Sequence, residues 1–319
     1  MSAAPSGGTT AVRFGAPEVG LLATVSLVWG AAYVFIREGL ELGAAPILFA
    51  SVRYVLTAAC FAAIAVLRRE SFPERRAFAI SAGIGGTLIV GIYGGLLYWG
   101  EQYTTGGYAA VLASTAPLLT VGFSYLLLAS ERLGRGGLVG MGVGFVGAAL
   151  LVVPQLEGSP IGSWEGPLFI VGAMTSVAIG TVLLRRVGRG RQGLWQLATQ
   201  FAVAGGLLGA AAAIVPVPER LPWSTDLDAT LGALVALSSV LGYFVYFTLH
   251  HRVGPIRANL VAYLAPVVGV AIGSGLFGEP ITLWELGGVA VVLLGVTLVL
   301  RDTARRVERE APAAAPART

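Results

Sequence analysis

Tyr103–Val153 reads YTTGGYAAVLASTAPLLTVGFSYLLLASERLGRGGLVGMGVGFVGAALLVV, and Arg252–Leu300 reads RVGPIRANLVAYLAPVVGVAIGSGLFGEPITLWELGGVAVVLLGVTLVL. Aligned on Ala116-Pro117 and Ala265-Pro266, the two stretches are offset by 149 residues, and Ala109 and Ala113 match Ala258 and Ala262. After a one-residue gap the offset is 148, and Glu131, Gly140 and Gly147 match Glu279, Gly288 and Gly295. A chain that repeats itself at about half its length is read as two copies of one unit.

Composition says what the unit is made of. Of 319 residues, 55% are hydrophobic and 12% charged, where a soluble domain carries about 25% charge. Ten apolar runs recur, at about 19–36, 46–67, 77–99, 106–129, 136–153, 166–184, 194–215, 229–249, 257–277 and 283–300. About 20 apolar residues span a bilayer as a helix. Backbone groups in lipid must pair within the protein, so the expected fold is an all-α integral membrane protein. Its ten transmembrane helices would form two inverted five-helix repeats. No small-residue cleavage site ends the first run and nine more follow it, so it reads as a first helix rather than a signal peptide.

The expected organisation is a disordered tail over 1–15, a first repeat over 16–153 and a connecting loop over 154–165. A second repeat over 166–300 and a cytoplasmic basic tail over 301–319 complete it. All 21 basic residues are Arg, and the net charge is +4. Their placement matters more than their sum, which does not point to nucleic acid. Eighteen fall in the termini and in alternate loops, among them Arg68, Arg69, Arg75, Arg76, Arg185, Arg186, Arg189 and Arg191. The opposite loops hold Arg37 and Arg220, and Arg53 lies inside helix 2. The positive-inside rule makes the rich set cytoplasmic, with both termini there. Five helices per half is an odd number, so the copies have opposite orientation. That is a transporter design with its site at the midplane.

The residues around these landmarks resemble the drug/metabolite transporter superfamily, in its EamA-type members with two five-helix repeats. Trp29-Gly30 with Tyr33, Ser51-Val52-Arg53-Tyr54, the two Ala-Pro pairs, Glu131 and Glu279 carry the resemblance, which covers about 19–300. It departs at Ala178, where many members have Trp, so less weight falls on an aromatic contact from helix 6. The resemblance implies a secondary transporter that exports or exchanges small metabolites or drugs through a central cavity by alternating access. It implies a small-molecule substrate, membrane lipid as surroundings and no cofactor. The expected place is the cytoplasmic (inner) membrane of a prokaryote.

Ser239, Tyr243, Tyr246 and His250 recur at i, i+4, i+7 and i+11 on helix 8, a single face. Polar groups toward lipid cost about 1–3 kcal/mol each when unpaired, so this face belongs inside the bundle. Trp29 and Tyr33, Arg53, Tyr93, Ser114, Asn259 and Tyr263 complete the expected substrate cavity. Arg53 is open to two readings: a structural one, snorkelling to the outer surface or pairing with a carbonyl, Glu38 or Glu101, or a substrate contact. Pro117 and Pro266 interrupt helices 4 and 9 at matching places, the best sequence pointer to a transporter site.

Other features read as structure. Gly142–Gly147 fits G-x-G-x-x-G but lies inside an apolar span, not after a strand. Gly136, Gly140 and Gly144 on one face allow close helix packing, within the fold or in a homodimer. Gln196 and Gln200 suit interhelical hydrogen bonds. Glu131 and Glu279 suit helix caps. Trp29, Tyr98, Trp99, Trp164, Trp223 and Trp284 fall mostly near span ends, as an interfacial belt would. Cys60 is alone in an apolar run, which excludes a disulfide framework and a thiolate metal site. No catalytic residues stand out: adjacent His250 and His251 point about 100° apart on a helix, and no hydrolase or zincin motif occurs. The spans hold no Asp or Glu near the bilayer centre, which favours facilitated diffusion or exchange over proton antiport, with His250 the group that could be proton-linked.

The arginine distribution predicts the orientation. Cysteines introduced in the 68–76 loop, in a Cys60→Ala background, are expected to resist an impermeant thiol reagent in intact cells. Those in the 37–45 and 154–165 loops are expected to react. Labelling of the 68–76 loop from outside would rule out the inverted arrangement.

Overall fold

In the computed structural model, the described residues are 16–127, 134–156, 164–187, 193–214, 220–253, 261–278 and 282–310. They are helical with short connections. Helix α1 is Ala16–Glu41 and α2 is Pro46–Leu67. Helix α3 starts as Arg75–Ile80, widens into a π-helical segment at Ser81–Ile92 and ends as Tyr93–Glu101. Helix α4 comes in two pieces, Gly106–Ala113 and Ala116–Leu127. Helices α5 (Arg135–Leu156), α6 (Glu165–Val187) and α7 (Leu194–Ile214) follow. Helix α8 repeats the pattern of α3, with Thr225–Ala233, a π-helical segment at Leu234–Leu241, and Gly242–Val253. Helices α9 (Val261–Phe277) and α10 (Leu283–Glu310) end the described chain.

Every apolar run read from the sequence falls on one of these helices wherever it is described. Among the described residues, seven stretches are long and apolar enough to cross a membrane: α1, α2, Phe78–Glu101, Gly106–Leu127, α6, α7 and Thr225–His250. Shorter apolar helical stretches lie at Val267–Leu276 in α9 and Leu286–Gly295 in α10. The outer faces stay apolar, with Val55, Val66, Leu126, Val139, Leu276 and Leu294 exposed, as suits a protein whose outer solvent is lipid. Helix α5 continues through Leu156 and α6 begins at Glu165, and 157–163 of the expected 154–165 loop lie outside the described residues. Helix α10 runs on into the basic tail, where Asp302/Arg306 and Arg306/Glu310 are spaced i, i+4.

The helices pair in a pattern that repeats between the halves. Helix α2 packs on α7, and α5 on α10. Helix α1 packs on α9, and the second piece of α4 packs on α6. Helix α1 packs on α8, and α6 on α3. When α1–α5 are exchanged for α6–α10, α2–α7 and α5–α10 map onto themselves, α1–α9 maps onto α4–α6, and α1–α8 maps onto α3–α6.

Small residues set how close these pairs come. A Cβ on Gly295 would collide with the Gly144 backbone and lie 2.6 Å from the Gly140 carbonyl. One on Gly147 would lie 2.6 Å from the Val292 nitrogen. The glycine face of α5 therefore serves packing within the fold, against α10. At the end of that pair, Gly134 N–H donates to Asp302 Oδ2 at 2.8 Å. Gly30 would meet the Ala265 carbonyl at 2.6 Å if it carried a Cβ, which fixes the α1–α9 contact.

The two prolines act differently. Pro117 has no N–H for the Ala113 carbonyl, and α4 breaks just before it. The break tightens to three-residue bonds, from Ser114 N to Val111 O at 3.0 Å and from Thr115 N to Leu112 O at 3.1 Å. Helix α9 instead runs through Pro266 without interruption, since one lost hydrogen bond can bend a helix without ending it.

The packing of α5 on α10 yields a paired prediction. Gly295→Ala forces two backbones apart and is expected to lower stability by about 1–3 kcal/mol. Gly142 has nothing within 4 Å of its would-be Cβ, so Gly142→Ala is expected to be neutral or to stabilise by up to about 1 kcal/mol. Thermal unfolding of the purified variants in detergent checks this, and equal losses would contradict the packing.

Candidate functional site

Arg53 sits seven residues into α2 and is 8% exposed. A guanidinium offers five donors and no acceptor. Here Nη1 donates to the Tyr98 hydroxyl at 2.8 Å and Nη2 to Ser238 Oγ at 2.9 Å. Nε and Nη2 both reach Ser239 Oγ at 3.3 Å. The carbon of the guanidinium lies 5.7 Å from the Tyr54 ring centre, within cation–π range. The side chain does not snorkel outward. Its hydrogen-bond partners are neutral hydroxyls, not Glu38 or Glu101.

Tyr98 was expected in an interfacial belt and is instead fully buried. Its ring packs edge-on against Phe49 at 5.6 Å and Tyr54 at 6.4 Å. The hydroxyl that a belt residue would turn to water goes to Arg53. Trp164, Trp223 and Trp284 do lie exposed on the outside.

Beside Arg53 opens a cavity of about 300 Å³. Helix α1 contributes Trp29 and Tyr33, α2 contributes Arg53 and Tyr54, and α3 contributes Tyr93 and Leu97. Ala113 and Ala116 flank the break in α4 and face the same space. From the second half come Met174 and Val177 on α6, Phe201 on α7, and Ala265 on α9. Helix α8 adds Ser238, Ser239, Tyr243 and Tyr246.

Aromatic contacts hold the wall. Trp29 meets Tyr243 edge-on at 5.6 Å and Tyr246 at 5.0 Å, and its Nε1 donates to the Ser238 carbonyl at 3.1 Å. Tyr243 stands perpendicular to Phe201 at 5.5 Å. Gly242 leaves the space that the Trp29 indole fills, and Gly94 does the same for the Tyr54 ring. A Cβ at either position would strike the ring.

Of the expected cavity residues, Trp29, Tyr33, Arg53, Tyr93, Ser239, Tyr243 and Tyr246 come together here. Ser114 is buried without reaching the cavity, and its neighbours Ala113 and Ala116 line it instead. His250 is outside the wall, its ring 6.1 Å from that of Tyr246. Asn259, Glu131 and Glu279 lie outside the described residues, as do the side chains of Tyr263 and Pro266. Gln200 bridges helices as expected, donating to Ser81 Oγ at 2.7 Å, whereas Gln196 accepts from Gly193 N–H and caps its own helix.

Tyr54, Met174, Phe201 and Ser238 were not anticipated. Tyr54 follows Arg53 directly, a usable signal. Ser238 follows from the wide π turn, which sets successive side chains closer in angle than the about 100° of an α-helix. Both serines can then face one guanidinium. Met174 and Phe201 carry no polar mark that separates them from core residues.

The EamA-like transporter family matches residues 17–153 and 164–301, one match for each half. The chain belongs to this family. It is 31% identical over 287 residues to the uncharacterized inner membrane transporter YedA of Escherichia coli strain K12, covering 89% of this chain and 90% of that one. It is 27% identical over 282 residues to a probable amino-acid metabolite efflux pump of Salmonella typhimurium, covering 85% and 91%. It is also similar to a protein of known crystal structure with a TM-score of 0.59 at 20% identity, over 91% of this chain and 98% of that one. That likeness is one of fold. The protein is thus a multi-pass membrane transporter of the EamA type, and the cavity is the place in it where polar and aromatic groups converge.

Tyr98→Phe keeps both ring contacts and removes the acceptor of the shortest Arg53 bond. It is expected to lower stability by about 1–3 kcal/mol, the cost of a buried donor left unmatched. Tyr103→Phe, where the ring stacks on Phe169 at 6.5 Å, serves as the control and is expected to change little. Denaturation of both variants in detergent checks the difference, and equal stabilities would remove Tyr98 from the Arg53 network.

Proposed function

We propose that this protein is a secondary exporter or exchanger of small metabolites, with ten membrane-spanning helices in two inverted five-helix repeats and alternating access around the Arg53 cavity. The observation that carries this is the composition of the wall. Helices α1–α4 of the first family match and α6–α9 of the second all line the same space. A site between two repeats becomes accessible from either side when one repeat rocks against the other. The exchangeable pattern of helix pairings supports the repeats, and the arginine bias supports opposite orientations with both termini in the cytoplasm. The name of the Salmonella relative as an efflux pump supports the outward direction. The inner membrane named for the E. coli relative supports the cytoplasmic membrane of a prokaryote as its place.

Among the described residues, the cavity wall includes no Asp or Glu. A carboxylate at the site is the usual proton relay of a coupled exporter. Facilitated diffusion or exchange is therefore the proposed mode. Tyr243 and Tyr246 are proposed to hold substrate by ring contact and hydroxyl together.

In proteoliposomes, flux should saturate and show counterflow, which a channel would not. Tyr243→Ala and Tyr246→Ala should fold near normally and lose transport by about tenfold, with the Phe variants losing about threefold or less. Wild-type rates in both Ala variants would remove this wall from the transport path. Proton flux in fixed stoichiometry with substrate would refute the uncoupled mode.

A further inference from the structure

The Arg53 cluster has a chemical direction that goes beyond transport as such. Ser238 and Ser239 accept hydrogen bonds from the guanidinium through their oxygens. Each hydroxyl keeps its own proton for another acceptor. All three side chains line the cavity. The cavity wall thus presents positive charge and hydroxyl donors, and its described residues bring no carboxylate to balance them. The acidic residue of α3, Glu101, is buried one turn beyond Tyr98 and is not part of that wall.

We propose that the cavity selects small organic monocarboxylates with a flat apolar body, seating the carboxylate on Arg53, Ser238 and Ser239. This rests on the transporter reading above and names its substrate class. The guanidinium matches a carboxylate in charge; its bonds to Tyr98, Ser238 and Ser239 engage four of its five N–H groups, so the carboxylate is shared between the remaining Nη1 N–H and the two serine hydroxyls. An ammonium at the same place would face like charge. A phosphate monoester would bring a second negative charge into a wall whose remaining members are aromatic, aliphatic or neutral hydroxyl groups, and a buried charge without a partner is costly. The rest of the cavity suits a ring. Trp29, Phe201 and Tyr243 meet at steep angles, which leaves edges and faces for a flat group to pack on.

The test uses the purified full chain and four probes that share one body: 3-phenylpropanoate, 3-phenylpropanamide, 3-phenylpropylamine and 2-phenylethyl phosphate. Binding is measured by calorimetry at neutral pH. The carboxylate is expected to bind about tenfold or more tightly than the other three. Arg53→Gln is expected to bind carboxylate and amide alike. The Ser238→Ala/Ser239→Ala double variant, which keeps the charge, is expected to narrow the preference without abolishing it. If Arg53→Gln does not fold, the wild-type ranking and the serine variant still decide. Equal or tighter binding of the amine, amide or phosphate, or no binding of the carboxylate, would overturn the proposal. Undiminished preference in Arg53→Gln would overturn it too.

Flux of the same probes into proteoliposomes separates the two readings. Saturable flux without carboxylate preference would sink the substrate class and leave transport standing. Carboxylate-selective binding with no flux would sink transport and leave the binding site standing.

Discussion

A cation inside a membrane protein has to be provided for. An arginine at the centre of a lipid-facing helix costs about 2.5–3.5 kcal/mol on insertion scales. Arg53 is almost fully buried, so its provision comes from protein. Three helices supply it: α2 carries the charge, α3 brings Tyr98 and α8 brings Ser238 and Ser239. The first two belong to one half of the chain and the third to the other. Wherever α8 goes, its serines must find the guanidinium or leave donors unmatched. The cavity then forms at the same junction, because a cluster of hydroxyls and charge does not close as tightly as methyl groups do.

The helices themselves were readable from the chain because apolar length is a strong signal in lipid. Pro46–Leu67 was expected at 46–67 and found there. The face of α8 was readable for a different reason. Ser239, Tyr243 and Tyr246 are polar or amphipathic residues in an otherwise aliphatic span, and their spacing put them on one side. Tyr98 shows where this reading fails. Its place near a span end fits a belt and a buried hydroxyl equally, and only the position of Arg53 across the helix pair separates them. Ser114 shows the opposite failure. It shares a helix with the break before Pro117, but the tightened turn there presents Ala113 and Ala116 to the cavity instead.

Glycines serve close packing at some places and open space at others. Helices α5 and α10 meet through Gly144, Gly147 and Gly295, where no side chain separates the backbones. Neither helix contributes a described residue to the cavity wall. The eight others surround it, and two of their glycines serve the opposite purpose. Gly94 and Gly242 make room for the rings of Tyr54 and Trp29. The same residue type thus draws helices together at α5–α10 and α1–α9 and holds space for cavity aromatics elsewhere. Counting glycines in the sequence could not distinguish these uses, because the difference lies in what stands opposite each one.

The irregular backbone follows the same division. The π-helical segments end at Ile92 in α3 and Leu241 in α8, which are 149 residues apart, the offset that aligns the two Ala-Pro pairs. Helix α4 breaks at Ser114–Thr115. Ile89 and Val90, Ser238 and Ser239, and Ala113 and Ala116 place all three irregularities at the cavity. Non-helical or widened backbone is tolerated at membrane depth only where protein or a cavity, not lipid, lies beside it. The bonding at Ser238 shows how the cost is met, since its carbonyl takes the Trp29 indole N–H. A sequence that repeats its π-helical segments in both halves therefore keeps them for the surface the halves share. That surface is where Arg53, the serines and the aromatic wall converge.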